Sequence, residues 1–180
     1  MSTSSTDPRT SADLADRVRS VHRYYPTGVT IVTSAIDGRP FGLAVNAFSS
    51  LSLDPPMVLV CVAATAASYP GLFQQDRMAV NILAHDQAEV AQTFGRSNPD
   101  KFTSVAWKLG EHGAPLLEGV AASFELRIES RIPAHTHSIF VGRILEAHTS
   151  EKWPLLYVDR RFFDSTTVPE LVPALEGVQP

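Results

Sequence analysis

Cysteine is nearly absent: Cys61 is the one thiol in 180 residues. A single thiol excludes an intrachain disulfide and any multi-thiolate metal site. The glycine-rich nucleotide loops are missing too. The ten glycines never occur as Gly-x-Gly, so there is no dinucleotide fingerprint of the Rossmann kind. No Gly-Lys pair opens a P-loop, and no Gly-x-Ser-x-Gly builds a hydrolase elbow. Any nucleotide is therefore held by other means. Basic excess is lacking as well. Lys and Arg number 15 against 19 Asp and Glu, a formal charge of −4, which argues against a nucleic-acid partner. Long apolar runs do not occur. The best stretch, Met57 to Ala67, is broken by Thr65 and falls far short of the roughly 18 residues a membrane helix needs.

What is present suits one globular domain. Apolar residues make up 44% and charged residues 19%, enough to bury a core and too apolar for wholesale disorder. Residues 1–10 hold no apolar core, so the sequence predicts a disordered N-terminal tail rather than a signal peptide. The domain is expected over 11–165. Residues 166–180, with Pro169, Pro173 and Pro180, read as an arm or disordered tail. The expected location is the cytoplasm, with no membrane association.

Thr10 or Ser11 is placed to cap a helix running to about Tyr25, with Leu14, Val18, Val21 and Tyr25 on one stripe. Val29 to Thr33 is β-branched and reads as a strand. Asp37-Gly38 supplies a turn, and Phe41 to Ala47 is the return strand. Ser49 to Leu53 reads as a Ser-rich turn, closed by Asp54-Pro55-Pro56. Strands follow at Met57 to Val62 and Met78 to Leu83, with a short helical segment beginning at Ser68. Asp86 to Glu89 has capping-box spacing and opens another helix. Residues 120–131 alternate. Ala122, Phe124, Leu126 and Ile128 form one face, and Glu125, Arg127 and Glu129 the other, as in a half-exposed antiparallel strand. Ser138 to Ala147 and Leu155 to Val158 complete about seven strands and three helices. Strands joined by turns, without helical crossovers, predict an antiparallel barrel.

Six histidines are available: His22, His85, His112, His135, His137 and His148. His135 and His137 lie two apart at a strand start, so both can face one side. A metal pair, a plain surface pair and a single functional histidine are all open readings. No third metal ligand is evident by spacing.

Residues 24–62 contain Pro26-Thr-Gly-Val-Thr-Ile-Val-Thr33, then Gly42 to Ser52 with Asn46, Phe48, Ser50 and Ser52, then Leu53-Asp-Pro-Pro56. Later come Asn81-Ile-Leu83, Phe94-Gly95, Asp100-Lys-Phe102, His137-Ser-Ile-Phe-Val-Gly142 and Pro154-Leu-Leu-Tyr157. In this order the pieces resemble the short-chain flavin reductase family, the reductase components of two-component flavin monooxygenases. The resemblance spans about residues 15–163.

It implies a mainly β fold with flanking helices, a split antiparallel barrel (the FMN-binding split barrel) that forms a homodimer. It further implies FMN or FAD in a groove at the subunit interface, hydride from NADH or NADPH, and a separate monooxygenase as recipient of reduced flavin. Carried onto this chain, the flavin contacts are Thr27, Gly28, Asn46, Ala47, Ser49, Ser50, Ser52, Ser68, Phe94, Lys101 and Phe102. The residues make chemical sense. Asn46 to Ser52 supplies an amide, three hydroxyls and backbone N–H groups for a flavin's polar edge, and Pro55-Pro56 stiffens the exit. Ser68 offers a helix-capping hydroxyl and N–H groups for phosphate, and Lys101 or Arg96 a cation. Phe94 and Phe102 serve either the ring system or the core. His137 aligns with the family's histidine at the nicotinamide side, an orienting rather than acid–base role.

Two departures stand out. His135-Thr136 replaces a common Gly-Asp, and Ala47 replaces a common Ser, so contact there falls to the backbone N–H. A pyridoxamine-phosphate-oxidase-like enzyme and a non-catalytic flavin- or haem-binding barrel are the alternative readings.

Overall fold

The computed structural model describes residues 8–171. Helix α1 covers Pro8–His22, so it opens ahead of the expected cap and ends before Tyr25. The strands follow as β1 (Thr27–Gly28), β2 (Thr30–Ile36), β3 (Arg39–Val45), β4 (Phe48–Leu53) and β5 (Pro56–Ala63). Then come α2 (Tyr69–Gln74), β6 (Arg77–Ile82), α3 (Ala88–Gly95), and the short strands β7 (Trp107–Leu109) and β8 (Pro115–Leu117). Two long strands, β9 (Ala122–Ala134) and β10 (His137–Thr149), precede the hairpin of β11 (Leu155–Val158) and β12 (Arg161–Asp164). The fold is mainly β with flanking helices, as the sequence predicts. Residues 1–7 and 172–180, most of the expected tails, lie outside the described residues.

The largest sheet has seven strands in the order β3-β2-β6-β9-β10-β5-β4, all antiparallel. Its two edges, β3 and β4, are consecutive in the chain and separated only by Asn46 and Ala47. A flat sheet of this size would hold its edges roughly 29 Å apart. A two-residue link spans roughly 10 Å at most. The sheet therefore curls until its edges meet at that corner. No ladder joins β3 to β4, so the seam stays unsealed along its length.

The inner face of the curl is apolar. Val32, Val58, Val60, Met78, Val80, Leu126 and Phe140 fill it, with Leu72 of α2. The opposite face of β2 carries Ile31 into a second core with Leu83, Phe94, Leu117 and Leu155, under α3 and β8. Asp37 and Gly38 turn the β2–β3 hairpin with φ of 50° and 76°, the left-handed region that Asp-Gly pairs serve.

Several expectations need correction. Residues Ser49 to Leu53 are not a turn but strand β4, paired with β5. Periodicity could not separate the two, because serines sit on an exposed edge as readily as in a loop. Asp86 does not cap α3. Gln87 holds that position, its Oε1 accepting from the Ala84 N–H at 3.0 Å, while Asp86 is drawn to Lys152 at 2.9 Å. Glu125 is not on a solvent face: it is 0% exposed. The segment from Gly110 to Leu117 lies over the outer face of β2, β6 and β9 and covers it. Glu125 accepts from the Glu111 and His112 N–H groups, each at 2.9 Å. Asn81 beside it accepts from Leu117 N–H at 2.9 Å and donates to Ile31 C=O and Thr33 Oγ1, both at 3.1 Å. Polar alternation here marks a buried, hydrogen-bonded layer, which satisfies the rule for buried polar groups. Arg127 and Glu129 are exposed, as the alternation predicts.

Candidate functional site

The corner where the sheet edges meet is also a cleft. Phe48 N–H donates to Asn46 C=O at 2.9 Å and turns the chain sharply. Cys61 N–H donates to Ala47 C=O at 2.9 Å and ties the corner to β5. Thr30 Oγ1 donates to Val45 C=O and ties it to β2. The cleft between these ties and the chain entering β1 holds about 470 Å³. Thr27, Gly28, Asn46, Ala47 and Ser49 line it, five of the residues named from the sequence, together with Tyr25, Leu59 and Cys61.

Thr30 and Ser49 spend their hydroxyl protons on Val45 C=O and Ser50 C=O, but three other polar groups are uncommitted. Thr27 Oγ1 is buried without a hydrogen-bond partner. Among the described residues, no hydrogen bond uses the Asn46 carboxamide or the Ala47 N–H. A Cβ added to Gly28 would meet only open space, so that glycine leaves the cleft mouth wide. The three serines divide. Ser49 pairs with Leu59 and shares its outer face, whereas Ser50 pairs with Val58 and faces the other way. A bulge between Ser50 and Ser52 returns Ser52, paired with Met57, to the face of Ser49. Ser50 and Ser52 do not line the cleft.

Ser68, Lys101 and Phe102 come together elsewhere. They line a second cleft of about 410 Å³ with Phe41 and Gly42. Thr30 borders the first cleft and Ile36 the second, so the length of β2, roughly 20 Å, lies between them. Ser68 precedes α2, but its hydroxyl donates to Gly42 C=O at 2.9 Å instead of capping the helix. Lys101 is 8% exposed. Its ammonium donates to Gly42 C=O at 3.3 Å and Phe94 C=O at 3.2 Å, and burial pushes its pKa down. Phe94 is 1% exposed and packs edge-on against Phe102, ring centroids 5.1 Å apart. Its side chain belongs to the core.

His135 and His137 do not share a strand. His135 sits in the β9–β10 turn with φ of 53°, and His137 begins β10. The left-handed φ at His135 is a conformation that glycine takes freely and other residues seldom adopt. His137 pairs with Ala63, and Ile139 pairs with the cleft residue Cys61. His137 therefore lies on the same sheet face as the cleft wall, two residues or roughly 7 Å further along. It is exposed, and its Nδ1 is 2.9 Å from Thr136 Oγ1. Among the described residues, no group of three or more His, Cys, Asp or Glu is gathered to hold a metal. None of their helices is long and apolar enough to cross a membrane.

Sequence reasoning did not place Tyr25, Leu59 or Cys61 in the cleft. The signal for Leu59 and Cys61 is register, which appears only once β4, β5 and β10 are paired, and Tyr25 enters with the chain leading into β1.

Comparison with known proteins places the chain in a family. The profile described as "Flavin reductase like domain" matches residues 21–166. The reductase component of a 4-nitrophenol 4-monooxygenase/4-nitrocatechol 2-monooxygenase from Rhodococcus opacus is 38% identical over 144 residues, 80% of this chain and 77% of that one. The stachydrine N-demethylase reductase subunit Stc3 from Rhizobium meliloti is 40% identical over 136 residues, 74% of this chain. The match spans 59% of that subunit's length, and 41% of the length of a protein from the same organism named "Probable flavin reductase". Among solved structures, the NADH:FAD oxidoreductase SgcE6 from Streptomyces globisporus, in complex with NAD and FAD fragments, superposes with a TM-score of 0.78 at 34% identity. That alignment covers 89% of this chain and 95% of SgcE6. With the profile running from the end of α1 through β12, the chain belongs to the flavin reductase like domain family.

Proposed function

We propose that this chain is an NAD(P)H:flavin oxidoreductase that reduces FMN or FAD by hydride transfer and passes the reduced flavin to a separate flavin-dependent monooxygenase. The observation that carries this reading is the orphaned Thr27 hydroxyl, beside the free Asn46 carboxamide and Ala47 N–H. A buried polar group without a partner costs about 1–3 kcal/mol. A bound ring with alternating donors and acceptors on its edge removes that cost. The donor set fits flavin: a hydroxyl, a carboxamide that both donates and accepts, and a backbone N–H. The relatives point the same way, one being the reductase component of a monooxygenase and another an NADH:FAD oxidoreductase.

Bound flavin supplies the hydride acceptor, and the chain supplies binding and orientation. Thr27, Asn46, Ala47 and Ser49 hold the polar edge of the ring, and Leu59 and Cys61 exclude water from its flank. His137 orients the nicotinamide through Nε2, since Nδ1 is engaged by Thr136.

The assembly belongs to the same reading. The curled, unsealed sheet is a split barrel, and the chain is a homodimer. Support lies on the outer face of β5 and β10, where Met57, Leu59, Cys61, Ala63, Ile139 and Val141 form a half-exposed apolar surface. The cytoplasm, where NAD(P)H is found, is the proposed location. The test mixes purified protein with NADH and either flavin and follows absorbance at 340 nm. Flavin-dependent loss of NADH is expected. Flavin binding without NADH oxidation would reduce the protein to a binding module.

A further inference from the structure

Lys101, one of the two cations that the sequence offers for phosphate, is held by two carbonyls in the second cleft. The cationic side chains that border the Asn46 cleft are different ones. A groove of about 340 Å³ lies between the C-terminal end of α1 and the β11–β12 turn, lined by Arg19, His22, Arg23, Tyr25, Tyr157 and Arg160 among others. Tyr25 lines both the groove and the cleft. Thr27 of the cleft pairs directly with Tyr157 of the groove. The two hollows are therefore neighbours across one ladder.

We propose that this groove receives the adenosine monophosphate half of a flavin dinucleotide, so that the chain prefers FAD to FMN. The proposal rests on the reading of the Asn46 cleft as the flavin site.

Charge is the first argument. Among the described residues, neither Arg23 nor Arg160 forms an ion pair, and Arg19 is paired only with Asp16 of its own helix. Asp159 is the lone carboxylate lining the groove. Guanidinium groups free of carboxylates suit phosphate oxygens, which they grip two at a time. Flat surface is the second argument. Tyr25 is 72% exposed, and Tyr157 is half-buried against Phe162. Exposed aromatic faces such as that of Tyr25 stack purines. FMN carries a phosphate but no purine, and so would leave them bare.

Backbone is the third argument. Asp159 and Arg160 form the two-residue turn between the paired residues Val158 and Arg161, with φ of 47° and 63°. Asp159 N–H donates to Arg23 C=O at 3.0 Å and pins the turn to the end of α1. Glycine is the usual occupant of the second position in such a turn. Arginine stands there against its backbone preference, with its side chain lining the groove.

Calorimetric titration of the full chain with FMN, FAD and AMP tests this. FAD should bind at least about tenfold more tightly than FMN, and AMP should compete with FAD but not with FMN. Arg23→Ala and Arg160→Gly should each weaken FAD roughly tenfold, the loss of one charge-assisted contact, and change FMN less than about twofold. Arg160→Gly also suits the turn, so its thermal midpoint should equal or exceed the parent's, separating lost binding from lost folding. Equal affinity for FAD and FMN overturns the proposal, as does equal weakening of both by the variants. Unchanged FAD binding with a raised KM for NADH gives the groove to the nicotinamide dinucleotide and also overturns it. Failure of both flavins to bind the parent overturns the cleft reading itself, and this proposal with it.

Discussion

Asn46 concentrates the chemistry of the corner into one side chain. Its carboxamide offers two donors and an acceptor, more than any hydroxyl lining the cleft. Asn46→Ala is expected to raise the flavin dissociation constant about ten- to a hundredfold, the effect of losing one desolvated partner. A fluorescence titration that returns the parent value would count against the assignment. His137 should behave differently. His137→Ala is expected to bind flavin within about threefold of the parent yet to be reduced by NADH roughly a hundredfold more slowly, since a small misplacement of a reactant has that effect. Reduction by dithionite should stay normal. Stopped-flow traces of His137→Ala and His135→Ala decide between the two histidines. If only His135→Ala is slow, the orienting role moves into the turn. Asn46, Ala47 and Ser49 were legible in the sequence as one group, because a short corner keeps neighbours in the chain neighbours in space, whereas Thr27 and Gly28 reach them only through the fold. Ser68, Lys101 and Phe102 also meet one another, but at the other end of β2. Nothing in a linear motif carries that separation.

Among the elements, the Gly110–Leu117 segment explains most of what the sequence concealed. The sequence located β2 by its β-branched run and β9 by its alternation, and β3, β5, β6 and β10 as apolar stretches bounded by turn residues. The outer face of β9 reads as solvent-facing, since its residues are Ser123 and Glu125. Only the segment laid across them, which meets Glu125 from 13 and 14 positions away in the chain, makes that face an interior. Gly110 is what lets the segment approach. A Cβ there would stand 2.3 Å from the Glu125 carboxyl carbon and 2.4 Å from both of its oxygens. Because the carboxylate is fixed by two N–H donors, it has no room to yield. Gly110→Ala is expected to destabilise the fold by about 2–4 kcal/mol through overpacking and weakened hydrogen bonds. Urea unfolding with an unchanged midpoint would show that the segment is looser than its contacts imply. The short strands β7 and β8 are too brief for periodicity to register, and β12 is recognisable only as the partner of β11.

At the scale of the whole molecule, the half-exposed apolar face of β5 and β10 is the surface on which a second copy is proposed to sit. A charge at its centre should keep copies apart without disturbing the inner core, because Val141 points away from Phe140 and Val60. Val141→Glu is expected to sediment as a monomer where the parent sediments as a dimer, with its circular dichroism unchanged. A parent that sediments as an active monomer at micromolar concentration would leave this face without its proposed occupant. The seam between β3 and β4 bears on how the molecule meets solvent. Each of those strands is paired on one side only. In deuterated water the amide protons of β6, β9 and β10, bonded on both sides, should be the last to exchange, and those on the free margins of β3 and β4 among the first. Isotope labelling would thus trace the seam as a fast line running down an otherwise slow sheet. Its end, at Asn46 and Ala47, should slow when a ligand takes up those amides.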